Sequence, residues 1–203
     1  KNDYDDLPEG YDWTRILAVD YGFNDQTTFG ICQYNRHMPD VWVPHAEGHS
    51  GWTPTIIAGR LKQIIETYRP AKIIADTGAL GKMITEEMIR HYGIPMHAAE
   101  KKEKKTWISF MNGAFQDNTL HIHRSLTDLK SQLRGLAKDD KGNEDPRLPN
   151  DLTDCVIYGF RECRAYLHQP KAPDSGLNPE EEKIWKKIKH DLTSKDDGLD
   201  WFG

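Results

Sequence analysis

The chain has 203 residues, of which 37% are apolar and 29% charged, with a formal net charge of −5. That length suits one domain with a real core, and no apolar stretch approaches the length of a membrane-spanning helix. The acidic balance argues against a protein held to nucleic acid by bulk positive charge, although a protein that gathers carboxylates around bound cations can be acidic overall.

Residues 1–14 are acidic, carry Pro8 and Gly10, and are expected to form a linker or arm. No charged-then-apolar leader is present, so no signal peptide is expected. A start at Lys1 rather than Met suggests a piece of a longer protein. Strand-like runs follow at about 15–20, 27–34 and 40–46, with Asn24-Asp25 and Pro39-Asp40 in the turns, the pattern of an antiparallel meander. Thr53-Pro54 starts a helix with Ile57, Leu61, Ile64, Ile65 and Tyr68 on its apolar face, ended by Pro70. Strand 71–76, helix 80–92, strand 94–98, helix 104–117, strand 119–123 and helix 125–137 come next. An acidic loop over 138–149 leads to helix 150–167, and Cys32, Cys155 and Cys163 lie inside apolar elements. With no C-x-x-C spacing, those cysteines support neither a disulfide framework nor a zinc ribbon and suit a reducing cytosol. Residues 169–203 read as a Pro-rich linker, a charged helix and an acidic tail ending in Trp201-Phe202-Gly203.

Meander strands followed by alternating helix and strand predict a mixed sheet with helices packed on it and right-handed crossovers. Under that topology strand 15–20 lies beside strand 71–76, and Asp20 and Asp76, at their ends, emerge at one sheet edge. On an ideal helix Asp151 and Asp154 lie roughly 60° apart, opposite the stripe Leu152, Val156, Phe160, Cys163 and Leu167, and on the face of Tyr158. Each acid has a plain structural reading: Asp20 and Asp76 as strand-end turn residues, Asp151 as a helix cap. Together they are harder to explain as structure, because clustered carboxylates repel unless a cation compensates them. Hard divalent cations take oxygen ligands and drive phosphodiester hydrolysis, so the set predicts a metal-dependent nuclease.

Asp25 is either a turn former or a group that orients metal-bound water. Lys101, Lys102, Lys104 and Lys105 are either a solvated helix start or a phosphate-contacting patch beside the acids. His121 and His123 share a strand face without further zinc ligands and read as a surface pair. Gly78-Ala79-Leu80-Gly81-Lys82-Met83 fails as a nucleotide-binding loop, since Asp76 stands at the first glycine position and Met83 at the Ser/Thr position.

Three motifs, in this order and spacing, carry a resemblance. They are Ile16-Leu17-Ala18-Val19-Asp20-Tyr21-Gly22 with Asp25 and Thr27, then Ile73-Ile74-Ala75-Asp76-Thr77-Gly78 with the Lys-rich stretch, then Asn150-Asp151-Leu152-Thr153-Asp154-Cys155 with Tyr158. They resemble the nuclease domain of tailed-bacteriophage terminase large subunits, of the ribonuclease H-like superfamily, over roughly residues 15–167. The resemblance implies an α/β fold whose mixed sheet has five or more strands, with 15–168 as the nuclease domain. It implies Asp20, Asp76 and Asp154 as catalytic metal ligands, with Asp151 at a position where family members vary. Two Mg²⁺ or Mn²⁺ ions are expected, Asp20 bridging them, with Asp76 on one and Asp154 on the other. The implied activity is endonucleolytic cleavage of concatemeric double-stranded DNA during viral packaging, with little sequence preference. Implied partners are DNA, an N-terminal ATPase motor, the small terminase subunit and the portal, in the host cytoplasm and at no membrane. The Asp-x-x-Asp helix opening also resembles Holliday-junction resolvases, and an integrase-like enzyme stays open. So do a non-catalytic DNA- or portal-binding module and a sugar-kinase or actin-like ATPase.

Overall fold

The computed structural model describes residues 2–22, 25–78, 80–135 and 148–167, all within Lys1–His168, the first of two units into which the chain divides. The expected linker, helix and tail over 169–203, and nearly all of the loop 138–149, lie outside the described residues. In chain order the elements are β1 (Asp3–Tyr4), β2 (Thr14–Asp20), β3 (Gln26–Tyr34), β4 (Val41–Ser50), α1 (Pro54–Tyr68) and β5 (Lys72–Ala75). Then come α2 (Leu80–Tyr92), β6 (His97–Ala98), α3 (Lys104–Gln116), β7 (Leu120–His123), α4 (Thr127–Gly135) and α5 (Asp151–Leu167).

The seven strands form one sheet in the order β1-β7-β4-β3-β2-β5-β6. The expected meander is present, with β2, β3 and β4 antiparallel, while β5 runs parallel to β2, and β7 parallel to β4. The parallel pairs are those whose connections cross over through a helix, as they must. Three findings differ from the sequence reading. The expected strand 94–98 is only His97–Ala98. Asp3 and Tyr4, inside the expected arm, pair with Ile122 and His123 and add an edge strand. And β4 continues past residue 46 to Ser50, its register with β3 shifting between Ile31 and Gln33.

Period-two alternation sorts β2 between two cores. Ile16 and Ala18 face α3, α4 and α5, joined by Cys32, Tyr34, Val156 and Phe160. Leu17 and Val19 face α1 and α2, joined by Phe29, Ile31, Leu61 and Met88. A strand apolar on both faces belongs in mid-sheet, and β2 is there. Helix α1 has Pro54 in its first turn, where a missing N–H costs nothing. It ends at Arg69, left-handed at φ 47°, whose N–H donates to the Ile65 carbonyl (2.8 Å). Among the described residues no helix is long and apolar enough to cross a membrane.

Helix α5 lies against β2 and β3, with nine of its residues buried from Leu152 to Cys163. Close approach depends on glycine: a Cβ on Gly159 would stand 2.6 Å from Cys32 Sγ, and one on Gly30 3.3 Å from Cys155 Sγ. The helix is also tied by the Lys72–Glu162 ion pair to β5 (2.6 Å). Cys32, Cys155 and Cys163 are all buried free thiols.

Candidate metal centre

Three elements deliver carboxylates to one edge of the sheet. Val19 pairs with Ala75, and the Asp76 N–H donates to the Val19 carbonyl (2.9 Å), so β2 and β5 end side by side at Asp20 and Asp76. Thr28, opposite Asp20 in β3, donates its hydroxyl to the Asp151 carbonyl (3.2 Å). Cys155 Sγ donates to the Ala18 carbonyl (3.1 Å). Those two bonds fix the first turn of α5, bearing Asp151 and Asp154, beside the ends of the strands. The Asp76 and Asp154 side chains are only 16% and 17% exposed.

The electrostatics report how close the acids stand. Burial, then the charges of Asp76 and Asp154, push the Asp20 carboxyl from near 3.8 up to about 7, with Lys101 acting the other way and Asp151 adding to the rise. Such a group resists ionisation and sits among others that do the same to it. Asp151 is also raised, by burial first and then by the charge of Asp25. Tyr158, 6% exposed, is raised by burial and then by Asp20, Asp154 and Asp76, so its phenol stays protonated as a neutral wall of the site.

Lys101 and Lys104 meet this charge directly. Lys101 Nζ donates to Asp76 Oδ2 at 2.6 Å, and the Gly78 N–H takes Asp76 Oδ1 at 2.7 Å. Lys104 Nζ lies 2.7 Å from Asp154 Oδ1 and 2.8 Å from Oδ2. Lys102 and Lys105 are exposed, and the Lys102 carbonyl accepts from Arg161 Nη1 at 2.5 Å. Asp76 and Asp154 are paired with lysines, and among the described residues no group of three His, Cys, Asp or Glu side chains is arranged as a ligand set. The donor chemistry nevertheless suits a divalent cation: carboxylate oxygens only, mostly buried, with more negative than positive charge.

The sequence reading leaves Lys101 and Lys104 as either a solvated helix start or phosphate contacts and does not anticipate that their ammonium groups reach the acids. It also does not anticipate the close packing after Asp76. A Cβ on Gly81 would overlap the Asp76 carbonyl oxygen, so only glycine lets α2 begin there. His121 departs from the expected surface pair. It is 9% exposed, bonds Asp40 Oδ1 through Nε2 (2.8 Å) and stacks on Trp42 at 4.0 Å, because β7 sits inside the sheet between β1 and β4. His123 bonds Ser125 and the Asp5 carbonyl nearer the surface.

No protein-family model matches the chain, and no curated protein matches it in sequence. Solved structures do match. The P22 large terminase nuclease domain superposes with a TM-score of 0.67 at 13% identity, covering 82% of this chain and 92% of that one. The nuclease domain of g2p, the large terminase of bacteriophage SPP1, with bound Mn, matches with a TM-score of 0.60 at 16% identity, covering 80% and 97%. The large terminase of the thermophilic bacteriophage D6E matches with a TM-score of 0.63 at 20% identity, over 77% of this chain, which spans only 40% of that protein's length. The chain therefore has the ribonuclease H-like fold of terminase nuclease domains.

Proposed function

We propose that this chain is the metal-dependent endonuclease domain of a viral DNA-packaging terminase large subunit. One observation carries the reading: Asp20, Asp76 and the Asp151–Asp154 turn are brought to one sheet edge, where burial and the charges of Asp76 and Asp154 make Asp20 costly to ionise. Structural carboxylates rarely gather this way without a cation to offset them. The fold shared with terminase nuclease domains, one of them solved with Mn, supports the choice of chemistry.

In this mechanism Asp20, Asp76 and Asp154 hold two Mg²⁺ or Mn²⁺ ions, with Asp151 beside them. Bound divalent ions supply Lewis acidity toward a phosphodiester and an acidified water. The residues of the chain do the rest. Asp20, central among the acids, is the group whose charge such ions most relieve. Tyr158 closes the floor and, as a neutral donor, leaves the negative field of the acids intact. Lys102 and Lys105, exposed on either side of the first residue of α3, would contact backbone phosphates, contacts that position DNA without reading sequence. Asp25, whose charge reaches Asp151, is either a turn former or an outer group that would orient metal-bound water. Double-stranded DNA is the substrate. In the full-length protein the partners are an ATPase motor, the small terminase subunit and the portal, in the host cytoplasm.

Incubation with supercoiled plasmid tests this. Cleavage should require Mn²⁺ or Mg²⁺, stop on chelation, leave ends of little sequence preference and show no preference for a four-way junction over linear DNA. Cleavage that persists in excess chelator contradicts a metal centre, and strong junction preference would make the chain a resolvase instead.

A further inference from the structure

Lys101 and Lys104 occupy the same carboxylate oxygens that a divalent cation needs. We infer that these two lysines are exchangeable counter-cations, which hold Asp76 and Asp154 until divalent ions bind and are then released to contact DNA phosphate. The inference rests on the metal-centre reading above and adds a competition to it.

Four observations support the exchange. First, the pairing is close: Lys101 donates to one oxygen of Asp76 while the Gly78 N–H donates to the other, and Lys104 donates to Asp154 Oδ2 with its Nζ also 2.7 Å from Oδ1. An ammonium and a divalent ion drawn to the same carboxylate compete for its lone pairs, and at such distances their charges repel. Second, both side chains have a way out, being 47% and 33% exposed. Third, room is kept for the Lys101 pair. A Cβ on Gly78 would lie 3.1 Å from both Lys101 Nζ and Asp76 Oδ1, tighter than side chains normally pack.

Fourth, the lysines hang from a braced segment. The Ala99 N–H donates to the Ala75 carbonyl (2.7 Å), which pins one end of the segment to β5. Arg161, with its guanidinium 4.9 Å from the Trp107 ring, donates to the Lys102 carbonyl from α5. Glu103, left-handed at φ 59°, turns the chain into α3 immediately before Lys104. The backbone thus stays in place while the two flexible side chains change partner. A solvent-screened lysine–carboxylate pair is weak enough to give way to a divalent ion and strong enough to be felt in its affinity.

Two alternatives predict different numbers. If the lysines are struts that aim the carboxylates, removing them weakens metal binding. If they serve only as phosphate contacts, metal binding does not change. Calorimetric titration of the DNA-free protein with Mn²⁺ separates the cases. Lys101→Met and Lys104→Met should each tighten Mn²⁺ binding about fivefold, while Lys104→Arg, which keeps the charge, should not. The methionine variants should also melt at lower temperature without metal and show a larger rise on adding Mn²⁺, which serves as a second readout of the same release. Unchanged or weaker Mn²⁺ binding in both methionine variants overturns the inference, even though wild-type binding that Asp20→Asn abolishes would leave the metal centre standing. Absence of wild-type Mn²⁺ binding removes both.

Discussion

Asp20→Asn is expected to lose DNA cleavage by about 10³-fold or more while making the metal-free protein more stable. A ligand shared by two metal ions contributes several kcal/mol of transition-state stabilisation, and roughly 1.4 kcal/mol corresponds to each factor of ten. The gain in stability comes from the same charge. Asp20 titrates near 3.8 as an ordinary carboxyl and at about 7 in the folded chain, through burial and then Asp76 and Asp154. Between those values the folded state binds a proton that the unfolded chain has released, so stability falls as pH rises from about 4 to about 7 and is level above that. The shift amounts to roughly 4 kcal/mol at neutral pH. Asparagine removes that slope. Thermal melts from pH 4 to pH 8 should show a metal-free wild type that weakens up to about pH 7 and a variant that weakens less, by the part due to Asp20. A variant with full cleavage, or with the same pH slope, contradicts the role given to Asp20.

Gly159→Val is expected to cost about 3–4 kcal/mol and to abolish metal binding with it. A mid-helix glycine normally destabilises by roughly 1 kcal/mol relative to alanine, so propensity alone favours replacing it. Packing wins here, because any Cβ would stand 2.6 Å from Cys32 Sγ and 3.1 Å from Cys32 Cβ, both in a fully buried strand. Valine adds two methyl groups and is branched, so it offers little helix gain to offset the clash. Since α5 also carries Asp151 and Asp154, lifting it off β3 moves half of the acidic cluster. Urea denaturation should show the loss, and Mn²⁺ titration the vanished site. Wild-type stability would mean that α5 does not sit as close to β3 as described.

The strand-end acids are legible in sequence because both strands are short apolar runs stopped by an acid and then a glycine, in Asp20-Tyr21-Gly22 and Asp76-Thr77-Gly78. Their adjacency follows from topology, since the first strand of a meander and the first crossover strand meet in mid-sheet. Other parts leave weaker traces. The extension of β4 to Ser50 alternates His45, Glu47 and His49, which does not look like a core strand. It is held by Arg60 of α1, 2.6 and 2.7 Å from the two Glu47 oxygens. Burial would raise the Glu47 carboxyl, but hydrogen bonds from Arg60 and His45 outweigh it and lower the group to about 2. Strand β1 has two residues, too few for any periodicity, and exists only through its pairing with β7. The reach of Lys101 and Lys104 depends on side-chain direction across a left-handed residue, which no spacing rule encodes. Local patterns therefore located the acids, while the cations facing them emerged only in three dimensions.

The central claim is that Asp20, Asp76 and Asp154 jointly bind divalent ions. Anomalous diffraction from crystals soaked in Mn²⁺ tests it most directly. The account predicts anomalous density in direct ligating contact with Asp20 and with Asp76 or Asp154, with the lysine ammonium groups displaced from the carboxylates that take the metal. Well-diffracting soaked crystals with no density at this sheet edge, or with Mn²⁺ bound only elsewhere, would contradict it.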